Sequence, residues 1–369
     1  MTGAEVALRR TPLYEQHRAL GARMVPFAGW EMPVQYASIL EEHRTVRSSV
    51  GVFDLSHMGE LFVSGADALR FVAEAVITDP STLTIGQAQY SMLCAQDGGV
   101  IDDLIVYRVD DGYLLVCNAA NRDVDLAHLQ SLLATGGFDA RLEDRSDDTG
   151  LVAPQGPQAR ELLATLTDAE LGSLGYYHAT RAVVSGVDCL IARTGYTGED
   201  GFELFCPTDR TAELWGAVLS RAEHLGGRAC GLGSRDTLRL EAGMPLYGNE
   251  LDRDHNPYEV NYGRLVKLDK PSFVGRAALA AMVDAGPTRR LVGLQMTDNA
   301  VPRHGYGVHT EAGDGVVTSG TVSPTLGTKI AMAYVPAEAT GVGREVQVSV
   351  RDQPYRAEQV KLPFYRRST

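Results

Sequence analysis

The sequence lacks the features that mark a disulfide-stabilised or membrane-spanning protein. Its five cysteines are an odd number among 369 residues, are widely spaced and include no CxxC pair, so reduced thiols are expected. No run approaches the roughly 20 apolar residues that a membrane-spanning helix needs. The segment Met1–Arg10 contains Glu5 and has no apolar core, which is unlike a signal peptide. These absences predict a cytoplasmic protein with no membrane partner.

Basic residues are in the minority. The chain has 34 lysines and arginines against 47 aspartates and glutamates, which gives a formal net charge of −13. Such a surface repels phosphate backbones, so no nucleic-acid partner is expected. Hydrophobic residues make up 44% of the chain, which is enough for a sizeable core without a disulfide or a structural metal.

Familiar catalytic and metal-binding motifs are also missing. There is no Walker A loop, G-x-S-x-G elbow or H-E-x-x-H helix. The segment Asp252–Asn256 begins like a calcium loop, but Pro257 and Gly263 stand where that loop needs a glycine and a glutamate. No histidine joins a ligand cluster, and His304 and His309 fall in a glycine-rich segment that is typical of an exposed turn. We therefore expect no metal.

Short strands with helices between them are predicted along the chain. Tyr113–Cys117 is an apolar strand that follows a turn, and Asp123–Leu133 has leucines at helical spacing. Arg181–Val184 and Val187–Arg193 flank Ser185-Gly186, which predicts a β-hairpin with a two-residue turn. This mixture predicts an α+β fold.

A domain boundary is predicted at residues 283–287, where an alanine-rich helical stretch stops at Gly-Pro. Residues 1–282 are long for one domain and are expected to form two interleaved lobes, one at approximately 51–140. Residues 287–369 are expected to form a β-barrel or jelly-roll-like domain. Its predicted strands are Arg290–Met296, Gly315–Val322, Ile330–Val335, Glu345–Arg351 and Tyr355–Lys361.

Two adjacent aspartates interrupt an apolar strand that follows the Gly98-Gly99 turn. Asp102 and Asp103 should point to opposite faces of this strand, so one of them must face inward. An inward carboxylate needs a partner, which makes a functional aspartate one interpretation. The alternative is an aspartate that caps a turn or accepts backbone hydrogen bonds.

A glycine-rich segment contains a second group of polar and aromatic residues. Glycines 195, 198 and 201 bracket Tyr196 and Glu203, and such a segment can fold closely over a ligand. The alternative is a plain hairpin with an exposed acidic tip at Glu199-Asp200.

A helix is predicted to start at Ser234, which would act as its N-cap, to run through Leu238 and Leu240, and to end near Gly243. Arg235 would then lie in its first turn, where it could bind an anion. The alternative is a surface arginine paired with an acidic neighbour, Asp236 or Glu241.

Taken in order, these segments resemble the glycine cleavage T-protein family over nearly the whole chain. The matching segments are Thr11–Tyr14, Phe27–Pro33, Phe53–Gly59, Gly98–Leu104, Arg193–Leu204, Cys230–Asp236, Thr318–Gly327 and Pro363–Tyr365. The resemblance implies a three-domain cloverleaf, with two α+β lobes around a central folate cavity and a C-terminal β-barrel. It also implies an aminomethyltransferase that uses tetrahydrofolate as co-substrate, no metal, and the lipoylated H-protein, which is acidic in this family, as partner.

The family's folate pocket carries over to ten positions of this chain. They are Met58, Tyr90, Asp103, Tyr107, Asn118, Tyr176, Tyr196, Glu203, Arg235 and Tyr365. Glu203 can accept the adjacent N–H donors of the pterin as a two-point fork, and Arg235 can meet a pterin carbonyl or a carboxylate of the glutamate tail. Asp103 is the candidate catalytic residue, which would direct protons at the folate nitrogens.

Two departures from the family pattern concern the wall of that cavity. Asn261–Arg264 contains a glycine and an arginine where relatives often carry a tryptophan and an apolar residue, and Met244 replaces a tyrosine of some relatives. Three other functions remain open: a folate-binding paralogue of the tRNA-modification or iron–sulfur type, a subunit of a demethylating oxidase, and a folate-storage protein. The K-G-C-Y motif of the first class is absent from this sequence.

Overall fold

The computed structural model describes residues 7–367, so residues 1–6 of the Met1–Arg10 segment lie outside the described part. The helices are α1 (Tyr14–Ala19), α2 (Ile39–Ser48), α3 (Ala68–Ala75), α4 (Arg122–Thr135), α5 (Ala159–Ala164), α6 (Thr211–His224), α7 (Leu232–Glu241) and α8 (Arg276–Ala285). The strands are β1 (Arg23–Phe27), β2 (Trp30–Gln35), β3 (Gly51–Asp54), β4 (Gly59–Ser64), β5 (Ala88–Cys94), β6 (Val100–Val109), β7 (Gly112–Cys117), β8 (Arg141–Asp144), β9 (Thr149–Gln155), β10 (Ala179–Val184), β11 (Val187–Ala192), β12 (Glu203–Pro207), β13 (Arg228–Ala229), β14 (Arg289–Met296), β15 (Gly307–Thr310), β16 (Gly313–Val322), β17 (Lys329–Pro336), β18 (Glu345–Val350) and β19 (Gln353–Val360).

The described chain divides into two compact units, each built from two stretches of sequence. The first unit comprises the residues up to Glu60 together with Asp144–Asp236. The second unit comprises Leu61–Glu143 together with the residues from Thr237 onward. Neither unit is therefore contiguous in the sequence.

The first unit is built on a six-stranded sheet in the order β10-β11-β12-β9-β3-β13, in which only the β3–β13 pair is parallel. Helix α6 packs on this sheet through Leu214, Trp215, Val218 and Ala222, whose helical spacing gives one apolar stripe. Leu214 and Val218, which are fully buried, each contribute about 1.5–3 kcal/mol. The first unit therefore has its own core.

The predicted hairpin of the first unit is confirmed. Strands β10 and β11 pair from Ala179 opposite Ala192 to Val184 opposite Val187. Ser185 and Gly186 both have positive φ, at 50° and 82°, as a type I′ turn requires. The turn therefore fixes the register in which β10 pairs with β11 at the edge of the sheet.

The second unit contains a five-stranded sheet in the order β5-β6-β7-β4-β8. Helices α3 and α4 pack together near β6 and β7, and Phe71 and Leu129 are fully buried in the shared core. The predicted strand Tyr113–Cys117 and helix Asp123–Leu133 are both confirmed, as β7 and α4. This sheet carries the two adjacent aspartates.

The C-terminal part of the second unit is a closed barrel of six strands in the order β14-β17-β16-β15-β18-β19. The predicted α+β architecture with a C-terminal β-barrel is thus confirmed. Helix α8 ends at Ala285, and the following Gly286 has a φ of 73°. Strand β15 was not predicted. His309 lies in β15, so the prediction that it belongs to an exposed turn is wrong for the backbone. Its side chain contacts Asp314 and Ser349 across the barrel surface.

All five cysteines lie within residues 7–367, are buried and form no disulfide. Burial raises the pKa of Cys94 and of Cys189 to about 12, and it also raises the pKa of Cys206 and Cys230. No helix within residues 7–367 combines the length and the apolar character needed to cross a membrane.

Candidate active site

Strand β6 carries Asp102 and Asp103 next to a β-bulge. The register of β6 against β5 shifts between Leu93 and Cys94, which leaves Ile101 as an extra residue. Bulges re-aim neighbouring side chains and are frequent beside active sites. Asp102 is fully buried and is the inward carboxylate that the sequence predicted, whereas Asp103 is partly exposed.

One amide group links the two carboxylates. The side-chain nitrogen of Asn118, the residue that follows β7, donates to Oδ1 of Asp102 at 2.9 Å and to Oδ1 of Asp103 at 3.0 Å. The backbone N–H of Asn118 also donates to Oδ2 of Asp102, at 2.9 Å. The sheet therefore does not separate the two carboxylates, contrary to the simple alternation expected of a regular strand.

Asp103 has a pKa raised to about 7. Burial is the main cause and the negative charge of Asp102 adds to it, while hydrogen bonds from Tyr90 and Asn118 act in the opposite direction. The Tyr90 hydroxyl donates to Oδ2 of Asp103 at 3.0 Å, and the ring of Tyr262 lies 5.4 Å from the Tyr90 ring. Asp103 can therefore both accept and release a proton near neutral pH.

Three further residues surround Asp102. The side-chain amide of Asn121, the residue before α4, donates to Oδ1 of Asp102 at 2.5 Å. The sulfur of Cys117 and one carboxylate oxygen each of Asp102 and Asp125 all lie within 4.8 Å of one another. Sequence reasoning missed all three. A signal was present for Asp125, because it lies four residues before Leu129 and so shares the buried stripe of α4.

The other two predicted residues of the second unit lie in separate elements. Tyr107 lies near the end of β6, opposite Leu114 of β7, and is only 1% exposed. Tyr365 follows the barrel, and its backbone N–H donates to the carbonyl of Glu241 at 2.8 Å.

In the first unit, Glu203, Tyr196 and Arg235 lie together. Glu203 begins β12 and is buried, and its Oε2 accepts a hydrogen bond from the Thr194 hydroxyl at 2.5 Å. The guanidinium of Arg235 lies 4.7 Å from the centre of the Tyr196 ring. Burial lowers the pKa of Arg235, and the charges of Tyr196 and Glu203 oppose that shift. A carboxylate, a cation and an aromatic face are thus offered by one group of residues.

Arg235 is carried by α7, whose start differs from the prediction. The helix begins at Leu232, so Ser234 lies inside it, and the Ser234 hydroxyl donates to the carbonyl of Gly231 at 2.9 Å. The prediction that Ser234 is the N-cap is therefore wrong. Glu42 of α2 serves the start of α7 instead, because its Oε2 accepts from the N–H of Gly231 at 2.8 Å.

The glycine-rich segment is shaped by Gln155, at the end of β9. A Cβ added to Gly195 would lie 2.0 Å from the Gln155 side chain, and one added to Gly201 would lie 2.5 Å from it. Gln155 is itself held by hydrogen bonds to the carbonyls of Thr194 and Phe202. These glycines therefore allow a close approach to a buried amide.

The acidic pair in this segment is not an exposed tip. Glu199 is buried and accepts a hydrogen bond from Arg47 at 2.9 Å, and Asp200 forms a two-point ion pair with Arg193. That expectation is therefore wrong. Glu199 is paired with Arg47, which lies about 150 residues earlier in the chain, and local pattern could not reveal that partner.

Met58 lies in the turn between β3 and β4, where its N–H donates to the carbonyl of Leu55 at 3.0 Å. The preceding residue, His57, is buried, and burial lowers its pKa to about 4. The charge of Arg235 also lowers this pKa, so His57 is neutral at pH 7. Tyr176, by contrast, is 45% exposed.

Comparison with known proteins agrees with this architecture. The GCVT N-terminal domain matches residues 13–270, and the glycine cleavage T-protein C-terminal barrel domain matches residues 289–366. The aminomethyltransferases of Moorella thermoacetica and Saccharopolyspora erythraea are each 50% identical to the chain, over 98% of it and over 98% and 99% of their own lengths. The crystal structure of the glycine cleavage system aminomethyltransferase T from Bartonella henselae matches with a TM-score of 0.90, at 35% identity over 97% of this chain and 98% of that one.

The matched barrel, the matched N-terminal region and the full-length identity define an enzyme of the aminomethyltransferase class. The chain belongs to the glycine cleavage T-protein family. The family resemblance stated from the sequence is thereby confirmed.

Proposed function

We propose that this chain transfers the methylene of an aminomethyl-lipoyl H-protein to tetrahydrofolate. The products are 5,10-methylenetetrahydrofolate, ammonia and the dihydrolipoyl H-protein. The observation that supports this most directly is Asp103, a carboxyl group with a pKa of about 7 that is held by Tyr90 and Asn118. A group with that pKa suits a reaction in which protons move at neutral pH.

The residues around Glu203 have the chemistry that folate requires. One oxygen of Glu203 accepts from Thr194, and a carboxylate has further lone pairs for the adjacent N–H donors of a pterin. The cation of Arg235 suits a pterin carbonyl or a carboxylate of the glutamate tail. The ring of Tyr196 offers an aromatic face to a flat heterocycle. Met58, Tyr107, Tyr176 and Tyr365 remain proposed folate contacts on the strength of the family resemblance.

The reaction requires two protons to move from the folate nitrogens to the two leaving groups. The two folate nitrogens each form a bond to the methylene carbon and each lose a proton. The carbon–nitrogen bond to the amine and the carbon–sulfur bond to the lipoyl group break, and the leaving nitrogen and sulfur each gain a proton. No electrons are exchanged with an outside oxidant or reductant. Ionised Asp103 can accept a proton from a folate nitrogen, and protonated Asp103 can return it to a leaving group.

The proposal is tested by turnover of aminomethylated H-protein with tetrahydrofolate, with ammonia release as the readout. Asp103→Asn keeps the size of the side chain but removes the basic oxygen, so kcat should fall by about 10²–10⁴ while folate affinity changes much less. Asp111→Asn, at the exposed turn between β6 and β7, is the matched control. Near-normal turnover by Asp103→Asn would remove the catalytic assignment.

The same assay separates the remaining alternatives. A folate-storage protein would bind tetrahydrofolate and release no ammonia. A paralogue with another substrate, or an oxidase subunit, would also leave aminomethylated H-protein unchanged. Ammonia release in proportion to the methylene transferred therefore identifies this activity.

A further inference from the structure

A third carboxyl group lies beside the two aspartates of β6. Asp125 is in the first turn of α4, and its side chain is fully buried. Its backbone N–H donates to the carbonyl of Asn121, the same residue whose side chain binds Asp102. The N-terminal end of α4 therefore places the Asn121 amide and the Asp125 carboxyl group next to Asp102.

Asp102 is the member of this group that is equipped to be ionised. Its two oxygens accept three hydrogen bonds, two from Asn118 and one from Asn121. Burial raises the pKa of Asp102, and these donors oppose that shift because they favour a carboxylate over a carboxylic acid. Asp125 lies with a carboxyl oxygen within 4.8 Å of Asp102. Two buried carboxylates this close cannot both be ionised without a large electrostatic cost, so one of them keeps a proton.

The titratable and charged groups around Asp125 come from every element packed against it. Burial and the charge of Asp102 raise the pKa of Asp125 to about 10, and Asp103 acts in the same direction. Asp102 and Asp103 of β6, Cys117 of β7 and Tyr247 after α7 interact with Asp125. Arg122 and His128 lie on the same helix, three residues before and after it, and Arg253 acts on the pKa of His128 and of Tyr247.

We propose that Asp125 is a positioning residue: it keeps its proton in the folded protein, directs that proton at Asp102, and so holds Asp102 as the single fixed negative charge beside Asp103. This inference rests on the proposed function, because Asp103 is the group that would act on folate. Asp125 itself does not touch the reacting atoms. Its effect is to limit the charge of the cluster, since a second charge beside Asp102 would suppress ionisation of Asp103.

The retained proton is tested without any assay of activity. Asp125 has a folded pKa above its unfolded value, so unfolding at pH 7 must release its proton. The wild-type chain should therefore release about one more proton per molecule on unfolding than Asp125→Asn, measured by calorimetry in buffers of different ionisation enthalpy. The stability of the wild type relative to Asp125→Asn should accordingly fall as the pH rises from 5 to 9. Equal proton release by the two proteins overturns the proposal.

The positioning role is tested with a second pair of variants. Asp125→Asn retains a hydrogen-bond donor toward Asp102, whereas Asp125→Leu has a similar size and no donor. We expect Asp125→Asn to keep at least about ten times the kcat of Asp125→Leu, with KM for tetrahydrofolate similar in both. Equal losses in the two variants overturn the positioning role. A stoichiometric metal that is present in the wild type and lost from Asp125→Asn also overturns it, because the cluster would then be a metal site.

These outcomes are distinguishable from failure of the proposed function. If wild-type protein releases no ammonia from aminomethylated H-protein, the proposed function fails, and the proton-release measurement still decides whether Asp125 is protonated. If turnover is normal and proton release is equal, only the inference about Asp125 fails. If Asp125→Leu does not fold, the comparison of proton release between wild type and Asp125→Asn remains decisive.

Discussion

Tyr90 and Asp103 are joined by a hydrogen bond in which the phenol donates to Oδ2 over 3.0 Å. This bond favours the carboxylate, so its removal should raise the pKa of Asp103 above its present value of about 7. In Tyr90→Phe, the acid limb of the kcat–pH profile should move to higher pH by about 0.5–1 unit, since a hydrogen bond contributes about 1 kcal/mol. Tyr113→Phe, in the neighbouring strand β7, is the control and should leave the limb in place. A limb that stays fixed in Tyr90→Phe would show that another group titrates.

Replacement of Asp102 should shift the acid limb of the kcat–pH profile in the opposite direction. Its negative charge raises the pKa of Asp103, so Asp102→Asn should move the limb to lower pH. The ratio of the variant's kcat to the wild-type kcat should then be higher at pH 6 than at pH 8. We expect a milder loss of maximal kcat than in Asp103→Asn, because Asp102 is fully buried and would act only through Asp103. Equal losses in the two variants would mean that both carboxylates act directly.

Glu203 provides a test of folate recognition. In Glu203→Gln a charge-assisted acceptor pair becomes one acceptor and one donor, which should weaken tetrahydrofolate binding by about 1.5–3 kcal/mol. Titration calorimetry measures this directly. Glu213→Gln, which breaks an exposed ion pair with Arg210, serves as the control. Unchanged affinity in Glu203→Gln would place the pterin elsewhere.

Gly195 and Gly216 make a matched pair for stability. A methyl group at Gly195 would meet the Gln155 side chain, which is buried and hydrogen-bonded and so cannot move cheaply. At Gly216, inside α6, no atom lies within 4 Å of an added Cβ. Gly195→Ala should lower the free energy of unfolding by about 1–3 kcal/mol, and Gly216→Ala should raise it by about 0.5–1 kcal/mol. Urea denaturation of the two variants checks both signs.

Docking of the H-protein should depend on salt. The chain carries a net charge of −13, and the partner is expected to be acidic, so a local basic surface must offset the repulsion. Screening of that local attraction should raise KM for the H-protein as ionic strength increases. A KM that does not change with salt would indicate mostly apolar docking, whereas a KM that falls with salt would indicate net repulsion between the two acidic surfaces.

Local sequence patterns predicted much of the fold, namely the apolar spacing of helices and strands and the residue types of turns. The hairpin at Ser185-Gly186 and helix α4 were predictable because turn residues and leucine spacing are local signals. Strand β15 was not predictable, since it has only four residues, one of them a glycine, and only closure of the barrel makes it a strand. The start of α7 was missed for a similar reason, because its cap comes from Glu42, which lies about 190 residues earlier in the chain.

For the site, the residue types were predictable but their partners were not. Asp103 interrupts an apolar strand and Glu203 ends a glycine-rich segment, and both features are visible in the sequence. The contribution of Asn118 to both aspartates depends on a bulge at Ile101, which no alternation pattern reveals. Similarly, the burial of Glu199 depends on Arg47. Sequence therefore identified candidate chemical groups, and the folded chain determined their protonation.

The burial of all five cysteines has a consequence for the partner's chemistry. The proposed reaction leaves a reduced dithiol on the lipoyl arm, and once that dithiol has been reoxidised its disulfide can be attacked by an accessible thiolate. Cys94 and Cys189, with pKa values near 12, hold almost no thiolate at neutral pH, and all five side chains are enclosed. The enzyme therefore offers no exposed thiol to the oxidised form of the arm, so repeated cycles of the arm do not trap it as a mixed disulfide.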